Sequence, residues 1–275
     1  MTAPAALLTL KRRCDIIITL GCIFTLLAIF TGVAVSIFLN VRHTDFVAYE
    51  VDTFHQVSYR PPPTYRHIRM TYLMEQEGVR KFTLDWEHGQ APALRAIEQL
   101  IYWRDILHAH GLVGADPARY GGIGFGNLSG RAARGFFITG SQTGALPRLE
   151  AAHFCLVRAW DIPGNRLQAE GPIAPSSEAL THAACYAANP AIHWVFHIHS
   201  PELWHAAPSP GLASTDPAIA YGTPAMAEAL AALAGRLPLP CLVRMGGHED
   251  GLIAAGPTAE GTGAILLERL AQVLA

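Results

Sequence analysis

The feature that most restricts the fold of this chain is a run of 24 residues without a charge, from Ile16 to Leu39. As a helix rising about 1.5 Å per residue, the run would be about 36 Å long, enough to cross the hydrocarbon core of a bilayer. Lys11, Arg12 and Arg13 precede it, so the positive-inside rule places the N-terminus in the cytoplasm and the rest of the chain outside. The sequence therefore predicts a single-pass membrane protein with an uncleaved N-terminal anchor. The alternative is a buried helix of a soluble domain.

A proline-rich break separates this segment from the rest of the chain. The three consecutive prolines at 61–63 favour a stiff, extended backbone. The predicted division is a tail with a transmembrane helix at 1–41, a linker or poorly ordered segment at 42–80, and one α/β domain at 81–275. If translation starts instead at Met70 or Met74, the anchor is absent and the sequence predicts a cytoplasmic protein.

Composition excludes several classes of function. A net charge of -2 over 275 residues argues against a nucleic-acid binder that works through bulk electrostatics. Five unevenly spaced cysteines form neither a disulfide framework nor a CxxC zinc motif. Lys11 and Lys81 are the only lysines, so a Schiff-base mechanism has at most two candidate amines and is nearly excluded. The 13 histidines leave metal and proton-transfer chemistry open.

The remainder of the chain alternates between helical and strand patterns. Apolar residues recur at helical spacing over 91–110, and Gly111 follows as a plausible C-cap. Further helices are predicted at 176–189, 224–233 and 258–274. Strands are predicted at 151–160, 191–199, 241–245 and 251–255, with two short strands that each run into a glycine-rich turn.

Two histidines in one predicted strand are the strongest candidate for chemistry. Side chains alternate faces along a strand, so His197 and His199 point the same way and lie about 6.6 Å apart along it. Two imidazoles at that spacing can converge on one Zn²⁺, while Phe196 and Ile198 face the core. The alternative is a pair of polar residues on a half-exposed strand.

A third candidate ligand lies in the segment after the next apolar strand. A catalytic zinc has three protein ligands and an open position, and His248 completes that count. Glu249 and Asp250 are rivals for the role. Read alone, the segment is an acidic surface turn.

The remaining candidates are polar groups suited to an anion. Ser176, Ser177 and Glu178 open a predicted helix, whose N-terminus can hold a phosphate, and a carboxyl beside a metal can act as a general acid or base. The alternative is an ordinary N-cap. Two glycine-rich turns, 124–130 and 139–144, offer further N–H groups and hydroxyls, although neither has the spacing of a dinucleotide or nucleotide-binding loop.

Together these motifs resemble the class II aldolase/adducin family, in particular its metal-dependent fuculose-phosphate and ribulose-phosphate members. The resemblance covers about residues 90–275 and rests on the order of five motifs: G-N-x-S, T-x-x-x-T-G, S-S-E, H-x-H and a histidine before a G-L-I-A strand. It implies a three-layer α/β/α domain with a central, mainly antiparallel sheet, usually in a homotetramer. It also implies Zn²⁺ or another divalent metal, Glu178 as acid/base, and metal ligands His197, His199 and a third residue. The implied phosphate ligands are Asn127, Thr143, Gly144, Ser176 and Ser177.

Three departures from the family pattern limit this comparison. The family places its third histidine directly before the glycine of the last motif, where this chain has Asp250; we prefer His248, because imidazole suits zinc and the Gly246-Gly247 turn could re-aim it. The proton-donating tyrosine of the fuculose-phosphate type falls at Ala218. The turn 140–144 is longer than in the common form of the family, which leaves Thr139 and Thr143 as alternatives for the phosphate-binding threonine.

The sequence therefore predicts a metal-dependent lyase that cleaves or dehydrates a small hydroxy-carbonyl compound, with a sugar phosphate among the candidates. The resemblance implies that the metal polarises a carbonyl and stabilises an enediolate. The alternative is a non-catalytic, adducin-like association module, although members of that kind tend to lack the metal histidines.

Overall fold

The computed structural model describes residues 37–40, 46–51, 57–59, 78–206 and 212–275. The chain divides into two compact units, Met1–Leu73 and Met74–Ala275. In the first unit, three strands form an antiparallel sheet in chain order. These strands are β1 (Ile37–Asn40), β2 (Phe46–Val51) and β3 (Val57–Tyr59).

The prediction of a membrane anchor is corrected by these strands. Residues 37–39, the last three of the predicted transmembrane helix, lie in β1 and pair with β2. Within the described ranges, no helix is long and apolar enough to cross a membrane. An uncharged apolar run does not by itself distinguish a helix from a strand, and β-branched and aromatic residues favour the strand. Residues 16–36 lie outside the described ranges, and β2 and β3 lie inside the segment predicted as a linker.

The second unit contains eleven strands among its described residues. They are β4 (Thr83–His88), β5 (Gly114–Ala115), β6 (Gly124–Phe125), β7 (Asn127–Arg131), β8 (Phe136–Thr139), β9 (Phe154–Asp161), β10 (Arg166–Gly171), β11 (Trp194–His199), β12 (Ala213–Ser214), β13 (Cys241–Arg244) and β14 (Gly251–Gly256). Nine of them form one sheet in the order β12-β13-β14-β11-β7-β8-β9-β10-β4. Only the two edge pairs, β12–β13 and β10–β4, are parallel. The sheet is therefore mainly antiparallel, as expected.

Helices cover both faces of this sheet. They are α1 (Leu94–Ala109), α2 (Ala179–Ala188), α3 (Pro201–His205), α4 (Pro224–Ala234) and α5 (Ala259–Leu274). Apolar residues of α1 and α5 share one core with Phe196 and Ile198 of β11. Residues of α2 and α4 share the other core with Val195. The alternation of β11 therefore places its two histidines on the α2–α4 side of the sheet.

The element boundaries differ from the sequence prediction in two places that matter for the site. Helix α2 begins at Ala179, so the Ser176–Glu178 segment precedes it and Glu178 occupies the N-cap position. Strand β4 was not predicted, although the residues from Phe82 to Glu87 alternate between apolar and polar side chains, as in a half-buried strand.

Candidate metal centre and anion pocket

Strand register explains why the three candidate histidines meet. Strand β11 lies between β7 and β14 and is antiparallel to both, with His199 opposite Gly251. Because β14 begins at Gly251, the turn that precedes it lies beside the end of β11. His248 belongs to that turn, which is closed by hydrogen bonds from the His248 amide to the Met245 carbonyl and from the Gly251 amide to the His248 carbonyl.

The imidazoles of His197, His199 and His248 form a compact buried cluster. Each ring offers one nitrogen, and these three atoms lie within 4.8 Å of one another. The two Nε2 atoms of His197 and His199 are 3.2 Å apart. Two nitrogens bound to one tetrahedral zinc at 2.0–2.1 Å would be about 3.3 Å apart, so the observed separation matches a shared metal.

The hydrogen bonding of His197 also fits a ligand role. Its Nδ1 lies 3.0 Å from the carbonyl oxygen of Leu252. A carbonyl only accepts, so Nδ1 carries the proton and donates it, which leaves the Nε2 lone pair directed at the cluster. A backbone carbonyl that fixes the ring and tautomer in this way is the usual support for a metal-binding histidine.

Burial favours the neutral form of imidazole at this site. The pKa of His199 lies well below its usual value because burial disfavours the imidazolium, and His248, His197 and Arg119 add to the effect. His182 is also fully buried, and its pKa is lowered by burial and then by His197. Neutral imidazole is the form that binds a metal.

The third position of the cluster belongs to His248 rather than to its sequence neighbours. Glu249 is exposed to solvent. Asp250 is buried but turned to a different partner, since its Oδ2 accepts a hydrogen bond from the Tyr120 hydroxyl at 2.5 Å. The Asp250 backbone has a φ of 61°. Its left-handed conformation ends the turn and separates the Asp250 carboxylate from the His248 ring.

Two aromatic residues that sequence reasoning did not place in the site contact the cluster. The Tyr221 ring stacks on His248 with centroids 4.2 Å apart and an interplanar angle of 16°. Tyr120 meets His199 edge-on at 4.9 Å. Lys81 Nζ lies 3.9 Å above the Tyr221 ring and donates to the Tyr221 carbonyl at 2.9 Å. No motif marks Tyr120 or Lys81, because both precede the segments that carry the recognisable pattern.

The five predicted phosphate ligands line one pocket beside this cluster, together with several glycines. They are Asn127, Thr143, Gly144, Ser176 and Ser177. Two backbone hydrogen bonds join the glycine-rich turn to the serine segment: Ser141 N donates to the Ala174 carbonyl and Ser176 N to the Thr139 carbonyl. We call this site the anion pocket.

Some side chains around the anion pocket already form hydrogen bonds within the protein. The Thr139 hydroxyl accepts from the Leu128 amide at 3.2 Å, whereas the Thr143 hydroxyl donates to the Gly140 carbonyl at 2.9 Å. Of these two threonines, Thr143 lines the pocket. The side-chain oxygen of Asn127 is buried and has no hydrogen-bond partner among the described residues. Asn127 lies opposite His197 in the sheet, so the pocket and the histidine cluster are adjacent.

Glu178 is almost fully buried at the start of α2. Its Oε2 accepts a hydrogen bond from the Thr181 hydroxyl at 2.9 Å, and its amide donates to the Ser176 hydroxyl at 3.3 Å. Its Oε1 faces Gly222, where an added Cβ would lie 3.7 Å away. Because Tyr221 stacks on His248, the Tyr221–Gly222 segment links the Glu178 carboxyl to the histidine cluster.

Several solved structures are similar to this chain. One L-fuculose 1-phosphate aldolase is 20% identical over 66% of this chain and 84% of its own, with a TM-score of 0.51. The l-fuculose-1-phosphate aldolase of Thermus thermophilus is 18% identical over 66% and 97%, with a TM-score of 0.44. YgbL of Klebsiella pneumoniae is 21% identical over 65% and 86%, with a TM-score of 0.48. No curated protein matches this chain.

The family comparison covers the part of the chain that builds the site. The profile of the class II aldolase and adducin N-terminal domain matches residues 115–274, more than half of the chain. That range contains the three clustered histidines, the residues of the anion pocket named above and Glu178, and the mainly antiparallel sheet that positions them agrees with the match. The chain therefore belongs to the class II aldolase and adducin family.

Proposed function

We propose that this protein is a metal-dependent lyase that cleaves or dehydrates a small hydroxy-carbonyl compound carrying a phosphate. His197, His199 and His248 hold the metal, zinc or another divalent ion, and the anion pocket takes the phosphate. The proposal rests above all on the three buried imidazoles whose nitrogens lie within 4.8 Å of one another. Burying polar side chains is costly, so three of them that converge on one point are difficult to explain as packing alone.

The chain's own residues divide the task between binding and proton transfer. When bound, a divalent cation polarises a substrate carbonyl and offsets the negative charge that develops on its oxygen. Ser176, Ser177 and Asn127 orient the phosphate end, which fixes the distance of the reacting carbons from the histidine cluster. The three side chains are buried, and the low local dielectric strengthens their polar contacts.

Glu178 is the proposed acid/base. The hydrogen bond from Thr181 to Oε2 holds the carboxyl in one orientation, with Oε1 toward Gly222 and the segment that contacts the cluster. A carboxyl held in this way can take a proton from a substrate hydroxyl and return it to the carbon that is left negative. Glu178→Gln keeps the shape of the side chain and removes this function.

Metal content separates this proposal from the alternative, an adducin-like association module. The full chain, purified without chelators, should hold about one divalent metal ion per chain by elemental analysis. The double variant His197→Ala/His199→Ala should lose the metal and any lyase activity together. His193→Ala is the matched control, because His193 is exposed just before the same strand and should leave both unchanged.

The opposite result would favour the alternative, an adducin-like association module. A folded protein that holds no metal even after reconstitution with Zn²⁺ or Co²⁺ is an association module with a purely structural histidine pair. Lyase activity that persists in the metal-free double variant would reject the metal-dependent mechanism while leaving the family membership intact.

A further inference from the structure

Arg104 is a buried cation behind the anion pocket. It lies in α1 with a relative exposure of 1%, on the stripe that also buries Leu100 and Leu107. Arginine is rarely buried in this way unless its donors are satisfied. The guanidinium reaches out of the helix layer toward the loop 143–147, whose first two residues line the pocket.

Four backbone carbonyls accept hydrogen bonds from this guanidinium. Nη2 donates to the carbonyl oxygens of Gly144 at 3.0 Å and Thr143 at 3.4 Å, and also to that of Leu146. Nη1 donates to the Pro147 carbonyl at 3.1 Å. The Asp105 carboxylate is 3.7 Å from Nη1 but half-exposed, so solvent screens it. The positive charge of Arg104 therefore acts mainly on the loop 143–147.

The bonds to Thr143 and Gly144 fix the direction of two amides. In a planar trans peptide the C=O and the following N–H point in opposite directions. Carbonyls of Thr143 and Gly144 that turn toward the guanidinium therefore turn the N–H groups of Gly144 and Ala145 away from it. The Gly144 amide is buried and donates no hydrogen bond to another described residue. Gly144 itself lines the anion pocket, so its N–H is a donor that an anion can use.

We propose that Arg104 is a positioning residue for anion binding, which holds the loop 143–147 by its carbonyls and supplies the positive charge of the pocket from behind. None of the described side chains that line the pocket is cationic. A dianionic phosphate would therefore be bound by hydroxyls and amides whose dipoles a buried guanidinium orients. This inference rests on the proposed function, since it takes the pocket to be a phosphate site.

Inorganic phosphate is the probe that tests the inference, titrated calorimetrically into the full chain with its metal. Arg104→Met, which keeps the apolar stem and removes the fork, should weaken phosphate binding at least tenfold. Arg104→Lys keeps the charge but replaces the planar fork by a point donor, so it should fall between Arg104→Met and the wild type. Arg95→Met removes an exposed arginine from the same helix and should bind phosphate as the wild type does.

Metal affinity and the melting transition distinguish positioning from a general role in folding. Both should stay close to the wild-type values in Arg104→Lys while phosphate binding weakens. If Arg104→Met does not fold, the folded variant Arg104→Lys tests the inference instead. Wild-type phosphate affinity in Arg104→Lys would then overturn it. Wild-type affinity in a folded Arg104→Met overturns it equally.

Ser177→Ala shows which of the two proposals has failed. This variant removes a hydroxyl from the pocket without touching Arg104 and should weaken phosphate binding. If the wild-type protein does not bind phosphate, or if Ser177→Ala binds it as well as the wild type, the assignment of the pocket is wrong and the inference falls with it. If Ser177→Ala weakens binding and Arg104→Met does not, the pocket stands and only the role of Arg104 is rejected.

Discussion

At the scale of single residues, one tight turn decides which side chain completes the histidine cluster. His248 and Asp250 are two residues apart, and both are buried. The turn aims the imidazole into the cluster and the carboxylate at Tyr120. Tyr221 then packs flat against the His248 ring and limits its rotation. The turn thus brings His248, and not Asp250, into the histidine cluster.

This geometry predicts different effects for two neighbouring substitutions. His248→Ala should lower the affinity for Zn²⁺ at least 100-fold, because it removes one of three ligands. Asp250→Asn should lower it about tenfold, since the carboxylate accepts a hydrogen bond from Tyr120, which contacts the ring of His199. Competition with a chromophoric chelator measures both affinities, with His193→Ala as the control. Loss of metal in Asp250→Asn together with retention in His248→Ala would make Asp250 the ligand.

Single residues also show how far the sequence could predict the site. His197 and His199 follow from strand alternation, and the serine and glycine motifs follow from their order along the chain. The sequence does contain a signal for Arg104, because a single arginine stands at a core position of the helical pattern, between Leu100 and Leu107. The sequence contains no such signal for Tyr120. Its contact with Asp250 joins residues 130 positions apart, and a local pattern does not reveal a contact over that separation.

At the scale of elements, the histidine strand is supported from behind by two helices that approach each other closely. Trp103 of α1 packs on Phe196, which directly precedes His197 in β11, with ring centroids 6.4 Å apart. Gly263 of α5 faces the same indole, and a Cβ built at this glycine would overlap the ring. The absence of a side chain at Gly263 is therefore what allows α1 and α5 to cover this face of the sheet together.

Gly263→Ala should destabilise the protein even though alanine is the better helix former. The gain in helix propensity is about 1 kcal/mol, and overpacking of a dense core typically costs about 1–3 kcal/mol. Trp103→Leu should also destabilise, by opening a cavity. The double variant should lose less than the sum of the two, because the smaller side chain makes room for the new methyl group. Urea unfolding of the four proteins measures this coupling, and strict additivity would show that the two residues do not share space.

Elements also show why part of the fold could not be predicted from the sequence. Helix α1 has helical periodicity, α4 is rich in alanine, and β11 and β14 are short apolar runs bounded by turns. The uncharged run at 16–39 satisfies a simple length rule for a membrane helix, yet its last residues pair as a strand. Strand β4 alternates between polar and apolar residues, but it is short and lies at the edge of the sheet, where it pairs with β10. Pairing between distant segments decides such cases, and a local pattern does not contain it.

At the scale of the whole molecule, one apolar core connects distant parts of the second unit. Three of its cysteines belong to this core: Cys155 in β9, Cys185 in α2 and Cys241 in β13. Burial raises the pKa of the Cys155 and Cys185 thiols to about 12, and it raises the pKa of Cys241 as well. The thiolate is the reactive form, so all three should be inert near pH 8 as long as the unit is folded.

These thiols therefore report whether the second unit unfolds as a whole. A pulse of iodoacetamide at increasing urea concentration, followed by mass spectrometry of the three cysteine peptides, should give three labelling curves with one common midpoint. The expectation follows from the shared core, because no strand or helix that carries a cysteine can open without exposing the apolar residues of the others. The urea transition followed by circular dichroism gives the reference midpoint.

Labelling of Cys241 at lower urea than Cys155 would instead show that the β12–β13–β14 end of the sheet opens first. Because the His248 turn connects β13 to β14, metal binding should then raise the midpoint for Cys241 more than the other two.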